Sequence, residues 1–198
     1  MQLFKAAQQA GFGVIGIEFQ ILYALQELHG PFLDRLMTGI TFLGNGGWIW
    51  IAAGGLFLFF PRTRRTGACV LISLALGFLI GNVCLKNLIA RSRPCWLDET
   101  IPVLVPVPRD YSFPSGHTLS SFAGAVSIWR MHPRWGWAAL LLAGLIGFSR
   151  LYLFVHFPTD VLAGAVIGTA LALWVTGWAR ARAQRRGGTE GGNVSATR

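Results

Sequence analysis

Residues 67–85 read GACVLISLALGFLIGNVCL and end on Lys86. The stretch carries no charge, and about 20 apolar residues are what an α-helix needs to cross the hydrocarbon core of a bilayer. It runs straight into a lysine instead of a polar turn. A cation at the edge of a membrane span is costly unless it pairs with another group or binds something. The stretch therefore predicts a membrane bundle whose chemistry begins where this span stops.

Composition points the same way. Of 198 residues, 53% are hydrophobic and 13% are charged, against about 25% charged in soluble domains. The chain length suits a single domain. Eight Trp and 25 Gly fit the membrane class, where both are favoured. The net charge of +9 reads as a positive-inside signal with attraction to anionic lipid, or as an anion site. The basic residues lie in short clusters between apolar runs, which argues against a nucleic-acid partner. Cys69, Cys84 and Cys95 form no C-x-x-C pair, so they read as packing residues and not as a disulfide or metal framework.

Working outward, residues 38–60 are also free of charge, with Gly44-Asn45-Gly46-Gly47 loosening the start and Pro61-Arg62 closing the end. Before them, 11–28 is apolar but holds Glu18, Gln20, Gln26 and Glu27. This predicts a helix at the interface or against the bundle, so that 1–37 forms interfacial or first-span helices. After Lys86, further spans are expected near 116–130, 135–154 and 160–179. The expected fold is all-α: one domain over 1–180, an integral-membrane bundle of five to six transmembrane helices, and a basic, disordered tail over 181–198. Arg62, Arg64, Arg65, Arg130, Arg134, Arg180, Arg182, Arg185 and Arg186 fall on one side, and the positive-inside rule makes that side cytoplasmic. The polar stretches 86–116 and 150–160 are two spans apart and so share the opposite, extracytoplasmic face. The default location is a bacterial plasma membrane.

On that face, Lys86 and Arg93 are seven residues apart. A helix continuing to Pro94 sets both on one stripe, and Pro94 ends it. Pro114-Ser115-Gly116-His117 opens another helix. Gly116 lets backbone approach a ligand closely, and the free N–H groups of a first helical turn attract anions. Arg150 adds a planar donor fork suited to phosphate. His156 and Asp160 stand four apart, and a carboxylate there can fix the tautomer of the imidazole. His117 can supply a proton to a leaving oxygen. No carboxylate cluster suits magnesium or zinc, so neither a metal nor another cofactor is expected. Each residue has a plainer role when taken alone: Lys86, Arg93 and Arg150 as interface anchors, His117 as a helix cap, His156–Asp160 as a structural pair. Only a phosphate site gathers all of them on one face. The uncharged stretch 101–108, rich in Val and Pro, is expected to border a lipid entrance.

Lys86-x6-Arg93-Pro94, then Pro114-Ser115-Gly116-His117, then Ser149-Arg150-x5-His156-x3-Asp160 resembles the tripartite signature of the type 2 phosphatidic acid phosphatase superfamily. All three parts occur in order over residues 86–160. The resemblance implies an integral-membrane lipid phosphatase. His156 would attack phosphorus and form a phosphohistidine, Asp160 would orient it, and His117 would protonate the leaving oxygen. Lys86, Arg93 and Arg150 would hold the phosphate oxygens, assisted by Ser115 and the Gly116 N–H. The implied substrates are undecaprenyl diphosphate, phosphatidylglycerol phosphate or phosphatidic acid, reached from the surrounding membrane lipid. The rival reading is a membrane protein that binds or transports lipid phosphates with the same cationic cup and no turnover. The sequence leaves the oligomeric state open.

Overall fold

The structure is a computed structural model that describes residues 13–191, with side chains described over 13–185. Its helices are α1 (Val14–Gln26), α2 (Pro31–Gly44), α3 (Trp48–Phe59), α4 (Arg64–Gly77), α5 (Pro94–Leu97), α6 (Gly116–Met131), α7 (Pro133–Tyr152) and α8 (Pro158–Gly191). A π-helical stretch, Phe78–Leu85, and a last α turn, Lys86–Ile89, prolong α4. No strand occurs among the described residues. Four prolines punctuate the chain: Pro31, Pro94, Pro133 and Pro158 each open a helix. That position needs no N–H donor and suits the fixed φ of proline.

Four stretches are long and apolar enough to cross a membrane: Pro31–Phe59, Arg64–Leu97, Pro133–Tyr152 and Pro158–Arg185. The chain is a multi-pass membrane protein. The span expected near 116–130 is α6, which has 16 residues and is therefore only about 24 Å long at 1.5 Å per residue. It is the hub of the bundle and packs against α8, α7 and α4. Sheltered from lipid, it tolerates buried Ser121 and Ser127 because each is bonded. Ser121 Oγ accepts from Trp50 Nε1 at 3.0 Å, and Ser127 Oγ donates to Ala123 O at 2.8 Å. Two glycines four apart bring α8 against α6. A Cβ on Gly164 would stand 2.7 Å from Ser115 O, and one on Gly168 would stand 2.4 Å from Leu119 O. Small residues at this spacing are how membrane helices approach closely. Phe59, Leu88, Trp135, Leu141 and Trp174 point outward, as suits a surface solvated by lipid.

α1 has 13 residues, too few to span. Its Phe19 and Leu22 join Met37, Cys95 and the 152–157 stretch in one apolar cluster, so α1 lies against the bundle. Residues 31–37, expected among the interfacial or first-span helices, form the first turns of α2. Residues 1–12 lie outside the described residues. Positive φ at Gly46 (58°) and Gly47 (70°) separates α2 from α3, a turn that a Cβ would strain.

Two expectations need correction. Lys86 and Arg93 do not share a helical stripe. The helix stops at Ala90, which has φ 48°, and Pro94 starts α5 instead of ending a helix. The α region is disfavoured for a residue before proline, and Arg93 is extended at φ −84°, ψ 154°. The second correction concerns the tail expected to be disordered from 181. It continues as helix to Gly191. α8 is already formed by packing below, and Arg180 donates to Arg130 O while Arg182 stacks on Trp178 at 5.1 Å. Residues 192–198 lie outside the described residues.

Candidate active site

The break at Ala90 turns the chain back over the end of the bundle, and the loop before α6 closes on it. A cavity of about 600 Å³ results, with Lys86, Arg93, Asp110, His117, Arg150 and His156 at one end. Ile51, Leu71, Leu74, Phe78 and Leu119 form its apolar walls. The site is thus a charged cup continuous with a cleft between membrane helices.

Of the residues singled out in the sequence, Lys86, Arg93, Arg150, His117, His156 and Gly116 all line this cavity. Asp160 lies behind His156, fully buried. Ser115 does not line it. Its side chain is buried and accepts from Thr118 Oγ1 at 3.0 Å and Thr118 N at 3.5 Å. It caps α6, the role that satisfies the first-turn donors of a helix. Its N–H donates to Asp160 O at 3.0 Å, which ties the start of α6 to the start of α8. Gly116 packs on the Asn82 side chain: a Cβ there would stand 2.8 Å from its Oδ1. The 101–108 stretch is divided. Ile101, Val103 and Val105 pack on the cluster around Phe154, while Pro108 reaches the cavity wall.

His156 is 1% exposed and its ring is poised by its neighbours. Arg93 Nη1 lies 3.1 Å from His156 Nε2. A guanidinium only donates, so Nε2 carries the lone pair and Nδ1 the proton. Nδ1 stands 3.4 Å from Ser112 Oγ and 3.6 Å from Asp160 Oδ2. Ser112 Oγ donates to Asp160 Oδ2 at 2.5 Å, and the Phe157 N–H adds a bond to the same oxygen at 2.8 Å. The carboxylate thus sits at the back of the ring with Ser112 between them. Burial first, and then the charges of Arg93, Arg150 and Lys86, push His156 well below the ordinary histidine value, with Asp110 opposing. The ring is neutral, with its free nitrogen toward the cations.

The cations differ in what they have left to give. Arg93 is 2% exposed and spends every N–H. Nε bonds Asp110 O and Nη1 bonds Val155 O, each at 2.7 Å, with Nη1 also facing His156. Nη2 bonds Asp110 Oδ1 at 2.8 Å and Tyr111 O at 3.3 Å. Lys86 pairs with Asp110 Oδ2. Arg150 is the opposite case. It is 4% exposed, donates from Nη1 to Thr41 Oγ1, and its buried Nε has no partner. A buried unpaired donor is expensive.

Asp110 was missed in the sequence, where it is one acid among several in a polar loop. Its carboxylate bridges Lys86 and Arg93 yet is 56% exposed. Burial pushes its pKa up, but its bonds and charge contacts with Lys86 and Arg93 outweigh that and hold it to about 2. Asn45 was also missed. Its Oδ1 lies 2.9 Å from His117 Nε2, and an amide oxygen only accepts, so this nitrogen bears a proton. Ser112 and Arg91 carried no motif signal at all.

Known proteins resemble this chain over most of its length. The family model described as the PAP2 superfamily matches residues 66–184. An undecaprenyl-diphosphatase of Sulfolobus acidocaldarius is 38% identical, covering 78% of this chain and 75% of its own. A lipid A 4'-phosphatase of Bacteroides thetaiotaomicron is 30% identical, covering 77% and 72%. Among solved structures, a transmembrane PAP2 type phosphatidylglycerolphosphate phosphatase from Bacillus subtilis superposes with a TM-score of 0.70 at 30% identity, covering 89% of this chain and 92% of its own.

Proposed function

The chain belongs to the PAP2 superfamily, and from that premise we propose how this membrane lipid phosphatase acts and on what. The substrate is a lipid phosphate or diphosphate, with undecaprenyl diphosphate, phosphatidylglycerol phosphate and phosphatidic acid as candidates. Its chain lies in the apolar cleft walled by Leu71, Leu74 and Phe78, and its terminal phosphate enters the charged cup. Following the basic clusters, the cup faces the extracytoplasmic side.

The phosphate binds Lys86, Arg93 and Arg150, displacing the Asp110 carboxylate. The lone pair on His156 Nε2 attacks phosphorus as the bond to the leaving oxygen breaks. The negative charge of the bound phosphate favours a His117 ring protonated on both nitrogens, which gives its Nε2 proton to that oxygen in place of Asn45 and is left neutral. Water then attacks the phosphohistidine and passes a proton to His117, the P–N bond breaks, and inorganic phosphate leaves with His156 neutral and His117 protonated again. Charge developing on the phosphoryl oxygens is met by fixed guanidinium and ammonium groups. No step requires a metal, and Asp110 is the one carboxylate among the described residues that line the cavity.

One observation carries this reading. Arg150 is a buried guanidinium with an unpartnered N–H, in the same cavity as two histidines and two further cations. The test is phosphate release from a panel of the candidate lipids in detergent with EDTA, comparing the parent with His156→Ala. Release that survives the chelator and disappears in the variant is the expected result. No release from any lipid would favour binding or transport without turnover. Release that persists in the variant would remove His156 as the nucleophile.

A further inference from the structure

The proposed reaction uses no residue of α1, yet α1 carries a carboxylate that is 3% exposed, Glu18. A buried carboxylate is tolerated only when its charge is paired and its oxygens are bonded. Both oxygens of Glu18 are engaged. Oε1 accepts from Thr159 N at 3.0 Å and from Thr159 Oγ at 2.5 Å, and Oε2 accepts from Arg91 Nη2. The other arm of Arg91, Nη1, donates to Thr159 Oγ1 and to Asp160 Oδ1, each at 2.7 Å. The guanidinium lies over the Phe157 ring at 4.1 Å. Arg91 therefore grips Asp160 by the oxygen that faces away from His156, and Glu18 grips Arg91.

The consequence for the site is specific. With Oδ1 held by Arg91, only Oδ2 is left beside His156, where Ser112 and the Phe157 N–H fix it. The Arg91 cation also offsets a carboxylate with no exposure. Neither Arg91 nor Glu18 nor Thr159 lines the cavity, so none of them touches a substrate there. We infer that Arg91 and Glu18 are positioning residues that set the Asp160 carboxylate behind His156, making the short helix α1 part of the active site. This inference rests on the phosphatase reading given above.

The groups facing His156 are Arg93, Asp110, Ser112, Lys86, Arg150, His117 and Asp160, and only Asp160 is bonded to Arg91. Removing Arg91 leaves that carboxylate uncompensated, which favours protonated His156. The acid limb of the pH profile then moves up, toward the ordinary histidine value. A side chain that merely anchored α1 would not move it.

The test uses the full chain in detergent micelles, with undecaprenyl diphosphate and phosphatidic acid as probes and four forms: parent, Arg91→Met, Arg91→Lys and Glu18→Gln. In Arg91→Met, kcat falls roughly 100-fold, the scale of a small misplacement of a reacting group, while KM stays within about twofold of the parent, as for an interaction made only in the transition state. The acid limb rises. Arg91→Lys restores the limb and part of kcat, and Glu18→Gln loses kcat with KM unchanged. Equal kcat in parent and Arg91→Met, or a loss with no movement of the limb, overturns the inference. Titration of the His156 ring by 15N NMR decides the case independently of turnover. If the parent releases no phosphate from either probe, the phosphatase reading fails, but a His156 resonance that titrates higher in Arg91→Met still supports the positioning role, and one that does not move overturns it. If Arg91→Met does not fold, Arg91→Lys and Glu18→Gln carry the same comparison.

Discussion

Asp110→Asn should make the enzyme bind phosphate more tightly. The Asp110 carboxylate occupies Lys86 and Arg93, and Arg93 has no N–H to spare. In the proposed reaction a phosphate therefore binds by exchange and must displace a carboxylate of like charge. The strength of that competition can be bounded. The two cations hold the Asp110 pKa at about 2 instead of 3.8, which at face value corresponds to about 2.5 kcal/mol. The side chain is 56% exposed, however, and ion pairs open to water are worth about 1 kcal/mol or less. About 1 kcal/mol is roughly a fivefold change in affinity. The amide keeps the shape of the side chain but loses the charge and one of the two acceptor oxygens that bond Lys86 and Arg93, so both contacts that a phosphate must displace are weakened. The assay is inhibition of lipid phosphate hydrolysis by inorganic phosphate, measured in parent and variant at neutral pH. The inhibition constant should fall about fivefold in Asp110→Asn. A constant that is unchanged or higher would mean that Asp110 builds the geometry of Arg93 instead of standing in for the ligand, and the exchange argument would be wrong.

Other expectations follow from single contacts. Asn45→Ala removes the acceptor that aims the His117 proton and should lower kcat roughly tenfold, a fraction of what a general acid supplies; unchanged turnover would show that Asn45 is incidental. Gly168→Val forces a side chain into the Leu119 carbonyl and should destabilise the bundle by about 1–3 kcal/mol, read as a lower melting temperature in detergent; an unchanged melting temperature would mean α6 and α8 are not held this closely. His156 is kept neutral in the fold, whereas in the unfolded chain it takes up a proton near its ordinary value of about 6.5. The unfolded state then binds the extra proton, so stability falls as pH drops below that value. His156→Gln should flatten this part of the curve of melting temperature against pH, and equal slopes in the two proteins would count against a neutral His156.

Much of the site was legible in the sequence because its parts are separated by whole spans. Chains crossing a bilayer alternate sides, so Lys86, Arg93, His117, Arg150 and His156 had to share a face whatever the helix packing. The charge-free runs marked the long spans for a similar reason: lipid excludes charge over a fixed thickness. α6 was harder to read. Its length and its buried serines are those of a helix surrounded by helices, a property of neighbours that lie far away in the sequence.

What the sequence determined by itself was the membrane class, the alternation of sides and the set of chemical groups available, since these depend on local composition and spacing. What only the tertiary structure decided was which groups are paired and which are free. The break at Ala90, and not a helical stripe, brings Arg93 to Lys86. Asp110 comes back across the loop to occupy both. Glu18 reaches Arg91 from 73 residues away. Ser115 turns inward to cap α6, and Arg150 is left with a buried donor unmet. Such pairings depend on distances of a few ångströms between residues remote in the chain, and no spacing along the sequence encodes them.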